Sequence, residues 1–222
     1  KNRRTFKKFG ANLSLKKNNK LPMIINGLKD PKPIKYYETR GSAQCKSSVI
    51  FAGIRTNGTT LIKAKKSRNH TELLFKYLKI PIKVKSNKAF DLIEIKGLQQ
   101  FNAFNYSIPG DISSSSFFII LTVLSKNSKL IIRNINVNES RTGIVKILKM
   151  MNCKITLKNK KIYKGEKIAD IFVKSSKILK PINCPSSLNS SAIDELLLIF
   201  LVAGTKAKGI SKFNQLGELN KK

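Results

Sequence analysis

"GTTLIKAKKSRNHTELLFKYLKIPIKVKS", residues 58–86, holds the fold in miniature. Gly58 opens a turn, and residues 59–64, "TTLIKA", read as a short strand. The pattern then changes. Asn69 is a helix-capping residue type, and the apolar spacing after it predicts a helix over 70–79 that stops before Pro81. "IKVKS" alternates and predicts a second strand.

Working outward, residues 42–54 show helical spacing upstream, and "FDLIEIKG" (90–97) predicts another strand downstream. The unit reads helix, strand, helix, strand, strand, with a further strand ahead of it. The order then recurs. Asp111 caps a helix through Leu124, "SKLIIRNI" (128–135) is a strand, "RTGIVKILKMMN" (141–152) a helix, and "CKITLK" (153–158) and "ADIFVKS" (169–175) are strands. Matching elements lie about 71 residues apart, the mark of a duplicated supersecondary unit. A third copy starts near "SKILK" (176–180), with a helix over 193–203. Pro109 and Gly110 in "FNYSIPGD" (104–111) break the pattern and divide the chain into 1–108 and 109–222. At the start, "RRTFKKFGA" (3–11) reads as the end of a helix stopped by Gly10. Both ends look truncated, as in a piece of a longer protein.

The 222 residues carry a formal net charge of +32, with only seven Arg among 44 basic residues. Such charge suggests a polyanion partner. Yet Lys is spread along the whole chain beside abundant Asn and Ile, the residues of A/T-rich codons, so codon bias explains it as well. No specific nucleic-acid partner is expected. Cys45, Cys153 and Cys184 are far apart and His70 is the single histidine, which argues against a zinc site and for a reducing, cytoplasmic setting. The apolar runs Phe117–Leu124 and Leu196–Ala203 are about eight residues long against the roughly 20 of a membrane span, and read as buried core helices. No signal-peptide pattern is visible.

Four stretches carry candidate chemistry. In "GSAQCKSS" (41–48), Ser42, Ala43 and Gln44 sit at a helix start, where unpaired N–H groups and the dipole favour an anion. Lys46 adds charge. The structural alternative is that Ser42 only caps the helix. In "KSRNHTE" (66–72), Arg68 can grip a phosphate with paired donors or be a solvated surface Arg, while His70 suits a structural hydrogen bond. In "IPGDISSSSFF" (108–118), Asp111 is a natural N-cap, and Gly110 could let backbone approach a ligand. In "LNSSAIDELLLIF" (188–200), Asp194 and Glu195 fall in the first turn of an apolar helix. There a carboxylate favours the dipole or serves as a general base.

"SAQCKS", "SRNHTE", "PGDISS" and "AIDE", in this order and at these separations, resemble the 5-enolpyruvylshikimate-3-phosphate synthase family. "NESRTGIVKILKMM" and "GEKIADIFV" extend the resemblance over essentially the whole chain. It implies an α/β enolpyruvyl transferase fold, with repeated βαβαββ units forming two domains and a cleft between them. It also implies transfer of the enolpyruvyl group of phosphoenolpyruvate to the 5-hydroxyl of shikimate 3-phosphate, through a tetrahedral adduct and with loss of phosphate. No metal or organic cofactor is implied, and a monomer without a membrane partner is expected.

By the same resemblance, Ser42, Ala43, Gln44, Arg68, Asp194 and Lys222 bind shikimate 3-phosphate, Gln44 also reaches phosphoenolpyruvate, and Asp194 accepts a proton. Several family elements are absent: the N-terminal lysine and serine–arginine pair, the "RPM" arginine, the glutamate after the Lys222 position, and the C-terminal arginines. Asn220 stands where the family usually has Arg. The chain taken alone is therefore expected to be inactive. The sister family acting on UDP-N-acetylglucosamine shares the fold, but its catalytic cysteine loop has no counterpart here. A non-catalytic nucleic-acid binder would instead cluster Arg and aromatic residues on one face.

Overall fold

The computed structural model describes residues 3–16 and 20–217. They divide into two compact units that meet between Phe104 and Asn105.

The first unit opens with α1 (Arg3–Lys8), and Gly10 ends it in the left-handed region at φ +101°, its N–H donating to the Lys7 carbonyl. An antiparallel pair follows, β1 (Asn12–Lys16) and β2 (Lys20–Asn26), which no sequence pattern singled out. The repeat then begins: β3 (Lys35–Glu38), α2 (Ala43–Gly53), β4 (Thr59–Lys65), α3 (His70–Tyr77), β5 (Ile82–Ser86) and β6 (Phe90–Lys96). The sheet order is β3-β4-β6-β5, with β3 and β4 parallel and the other neighbours antiparallel. A parallel pair needs a crossover, and α2 supplies it. Strict alternation sends Ile62 and Ala64 of β4, and Ile93 and Ile95 of β6, into a core with Val49 and Ile50 of α2 and Phe75 of α3.

The second unit repeats the scheme with α4 (Ile112–Leu124), β7 (Lys129–Asn136), α5 (Gly143–Met150), β8 (Lys154–Tyr163) and β9 (Glu166–Lys174), in sheet order β7-β9-β8. The counterpart of β3 has shrunk to one parallel bridge between Gly110 and Ile135. An added Cβ at Gly110 would stand 2.5 Å from Ile135 Cδ1, the end of a side chain that would then have to shift. The close approach of Gly110 serves the sheet. The third copy begins with β10 (Asn183–Cys184), paired in parallel with β11 (Lys212–Phe213). Between them lie α6 (Asn189–Ala192) and α7 (Leu196–Lys206).

Two expectations change here. The helix expected over 193–203 starts only at Leu196 and runs on to Lys206; residues 193–195 form a turn after the separate α6, and the axes of 186–192 and 196–206 meet at 117°. The apolar helices α4 and α7 are also only half buried: Ile119, Val123, Ile199 and Val202 are inside, whereas Phe117, Phe118, Leu197 and Leu201 are exposed. A helix apolar on every side exceeds what one core face can cover. Among the described residues, no single helix is long and apolar enough to cross a membrane.

Candidate active site

In the first unit, the loop from β3 into α2 is fixed from within. Glu38, buried at the end of β3, accepts the backbone N–H groups of Arg40 at 3.0 Å, Gly41 at 2.6 Å and Ser42 at 3.0 Å. Gly41 makes the bend at φ +73°, and a Cβ there would press on the Lys66 carbonyl at 3.3 Å. No local sequence rule marks Glu38, since its role depends on that left-handed turn.

Ser42 is the N-cap of α2, and its Oγ accepts the Cys45 N–H at 3.3 Å. The cap uses one lone pair, so the hydroxyl proton can still be donated to an anion. Capping and ligand binding are compatible in one side chain. Ala43 and Gln44 open the helix, Ala43 half-buried and Gln44 exposed, and their N–H groups have no acceptor within it.

Lys46 differs from expectation. It is fully buried and meets Glu72 of α3 at 2.6 Å, so it is no loose cation for the helix start. The physical cause is its place on the core face, one turn into α2. A second tie, Ser47 Oγ to Thr71 Oγ1 at 2.7 Å, joins the same two helix starts. With Gly41 against Lys66, these ties set the 41–44 loop beside the 66–69 loop. Arg68, half-buried, lies in the latter. So does Ser67, whose hydroxyl is buried with no hydrogen-bond partner among the described residues. An unsatisfied buried hydroxyl costs about 1–3 kcal/mol. Asn69 holds the N-cap position of α3, but its side chain makes no capping hydrogen bond.

In the second unit, Asp194 and Glu195 lie at the break before α7. Asp194 is exposed and Glu195 is buried. The break turns the chain before the apolar helix begins, which leaves Asp194 outside and Glu195 inside. Asp111 caps α4 by accepting from Ser114 N at 2.9 Å and also meets Arg141 Nη2 at 2.8 Å. Burial alone would raise the Asp111 carboxyl. The Ser114 amide, the Arg141 guanidinium and the Ser114 hydroxyl outweigh it and hold the group below the usual carboxylate value. Lys222 lies outside the described residues. Among those residues, no cluster of three or more His, Cys, Asp or Glu could hold a metal ion.

Two helix starts rich in donors, on repeats of one unit, now stand beside a sequence match. Residues 3–220 fit the profile of EPSP synthase (3-phosphoshikimate 1-carboxyvinyltransferase). The chain belongs to the EPSP synthase family. It is 36% identical over 218 residues to a 3-phosphoshikimate 1-carboxyvinyltransferase of Petrotoga mobilis, covering 97% of this chain and 49% of that one. To the enzyme of that name from Endomicrobium trichonymphae it is 37% identical over 203 residues, covering 91% and 46%. A solved EPSP synthase from Acinetobacter baumannii superposes with a TM-score of 0.83 at 31% identity, over 95% of this chain and 47% of that chain. The enolpyruvyl transferase NikO from Streptomyces tendae, at 15% identity and TM-score 0.65 over 96% of this chain and 52% of that one, shares the fold. The enolpyruvyl transferase fold expected from the sequence is thereby established. The chain spans about half the length of the EPSP synthase relatives it matches.

Proposed function

We propose that this chain forms part of an enzyme that transfers the enolpyruvyl group of phosphoenolpyruvate to the 5-hydroxyl of shikimate 3-phosphate. The observation that carries this is the family match running through both units, residues 3–220. Ser42, Ala43, Gln44 and Arg68 bind shikimate 3-phosphate, the first three through the start of α2, and Gln44 also touches phosphoenolpyruvate. Lys222 adds a cation to the same substrate. Amides and hydroxyls already held in place lose little by reorganising around an anion. The tie between α2 and α3 supports that role by holding both loops before substrate arrives.

Asp194 takes the proton of the 5-hydroxyl as its oxygen attacks C2 of phosphoenolpyruvate. C3 of phosphoenolpyruvate gains a proton as its double bond is used up, and the tetrahedral adduct then loses inorganic phosphate from C2 and a proton from the C3 methyl, which restores the double bond as the enol ether. Neither step calls for a metal or organic cofactor. The chain acts in the cytoplasm, as a monomer, within a protein whose two domains include residues 1–108 and 109–222.

The test is phosphate release from the two substrates by the full-length protein carrying this chain. Asp194→Asn should lower turnover roughly 10²–10⁴-fold, the range for a general base, with modest change in substrate affinity. Near-normal turnover in that variant would remove Asp194 from the mechanism. No phosphate release by the unmodified protein would overturn the whole reading.

A further inference from the structure

Glu195 is a buried carboxylate that the reaction above does not use. Its backbone sits at φ −106°, ψ 0°, the sparsely populated bridge region, at the break between α6 and α7. Its N–H donates to the Ala192 carbonyl at 2.9 Å, and its own carbonyl accepts from Ile199 at 3.0 Å. The residue thus hinges two helices through its backbone. Its side chain reaches elsewhere. The carboxylate accepts a short hydrogen bond from Ser113 Oγ, on the first turn of α4, 82 residues away in sequence. Ser113 Oγ in turn accepts from Arg141 Nη2 at 2.5 Å. The same nitrogen meets Asp111 Oδ1 at 2.8 Å, with the Arg141 side chain 18% exposed.

These four side chains link the starts of three helices: α4 through Asp111 and Ser113, α5 through Arg141, and α7 through Glu195. The packing around them is tight. At Gly143, the first residue of α5, an added Cβ would lie 2.6 Å from Ser191 Oγ and 2.7 Å from Ala192 Cβ. The end of α6, directly before the 193–195 turn, is therefore pressed against α5, and the turn itself is tied to α4 through Glu195. Two carboxylates around one guanidinium leave a net negative cluster inside a strongly basic chain. A cluster of that sign is poorly suited to holding a phosphate. It is well suited to fixing geometry, because charge-assisted hydrogen bonds are short and directional.

We infer that Glu195 is a positioning residue: through Ser113 and Arg141 it holds the turn that presents Asp194. The inference rests on the proposed function, in which Asp194 takes the proton. Asp194 is exposed and lies on the turn, next in sequence to Glu195, whose carboxylate ties that turn to Ser113. A base displaced by about 1 Å can cost on the order of 10²-fold in rate.

The experiment uses the full-length protein carrying this chain, with steady-state rates for Glu195→Ala, Glu195→Gln and Ser113→Ala. Glu195→Ala and Ser113→Ala should each lower kcat about 10²-fold with KM within about threefold. Glu195→Gln, whose amide oxygen still accepts from Ser113, should recover most of the loss. Placed in an Asp194→Asn background, the Ser113→Ala change should lower kcat less than about threefold, since a misplaced base no longer matters. Full multiplication of the two effects, or unchanged kcat in both alanine variants, overturns the inference. Ser113→Ala removes only a hydroxyl, and its thermal melt checks folding apart from Glu195. If the unmodified protein turns over but Ser113→Ala equals it, only the positioning role falls. If the unmodified protein does not turn over at all, the proposed function falls first.

Discussion

Replacing Lys46 by Met tests how the helix-start cluster of the first unit is held. The Lys46 side chain is fully buried and Glu72 is 4% exposed, with 2.6 Å between the charges. At an effective dielectric of about 20, that separation is worth about 6 kcal/mol of attraction. Desolvating the two ions costs several kcal/mol each, so the intact pair nets close to zero. Removing one partner is different. Neither Glu72 oxygen has another hydrogen-bond partner among the described residues, so Lys46→Met strands a buried carboxylate. The expected loss is about 3–5 kcal/mol. In a cooperative unit of about 100 residues, each kcal/mol shifts Tm by about 4–8 °C, so the melt should fall by at least about 12 °C. Glu72→Leu should do similar damage. The double variant Lys46→Met/Glu72→Leu should return to within about 2 kcal/mol of the original, because both charges are gone. Far-UV circular dichroism melts of the four proteins give the cycle. A Lys46→Met melt within 2 °C of the original, or additive losses in the double variant, would refute the account of a dry ion pair tying α2 to α3.

Ser42→Ala should cost about 1 kcal/mol of stability through the lost cap and also weaken shikimate 3-phosphate in the full-length protein; Gln44→Ala should weaken both substrates and leave the melt unchanged. Calorimetric binding beside a thermal melt separates the two effects. Asp111, held below the usual carboxylate range, contributes stability that is fully present above the unfolded value near ~3.9 and is lost as pH falls through the lower folded value. Asp111→Asn should therefore flatten the acid side of the stability profile below about pH 4, as read by urea melts across pH. Burial pushes the Cys153 thiol up to about 12 and raises Cys184 as well. At pH 8 only ~10⁻⁴ of Cys153 is thiolate, so iodoacetamide followed by peptide mapping should label half-buried Cys45 first.

Much of the fold was legible because its signals are local. The switch from a helical to a two-residue period, Pro81 after α3 and Asp111 before α4 each act within a few residues, and α4 runs from Ile112 to Leu124 as its cap and apolar run imply. The ordered motifs likewise revealed the family, since a row of short matches needs no three-dimensional knowledge. Capping also read correctly at the local scale: Ser42 caps α2 as its residue type and place suggest. What the sequence by itself could not determine was where side chains 24 to 82 residues apart meet. Lys46 looked like a cation for an anion site until the packing of α2 on α3 buried it against Glu72. Asp194 and Glu195 were expected together in the first turn of one helix. A 117° break then exposed the first and drew the second to Ser113. The physical reason is the same in each case. Period, cap and turn preferences are set by steric and hydrogen-bonding terms between near neighbours, whereas burial and charge pairing are set by which surfaces the whole chain brings together.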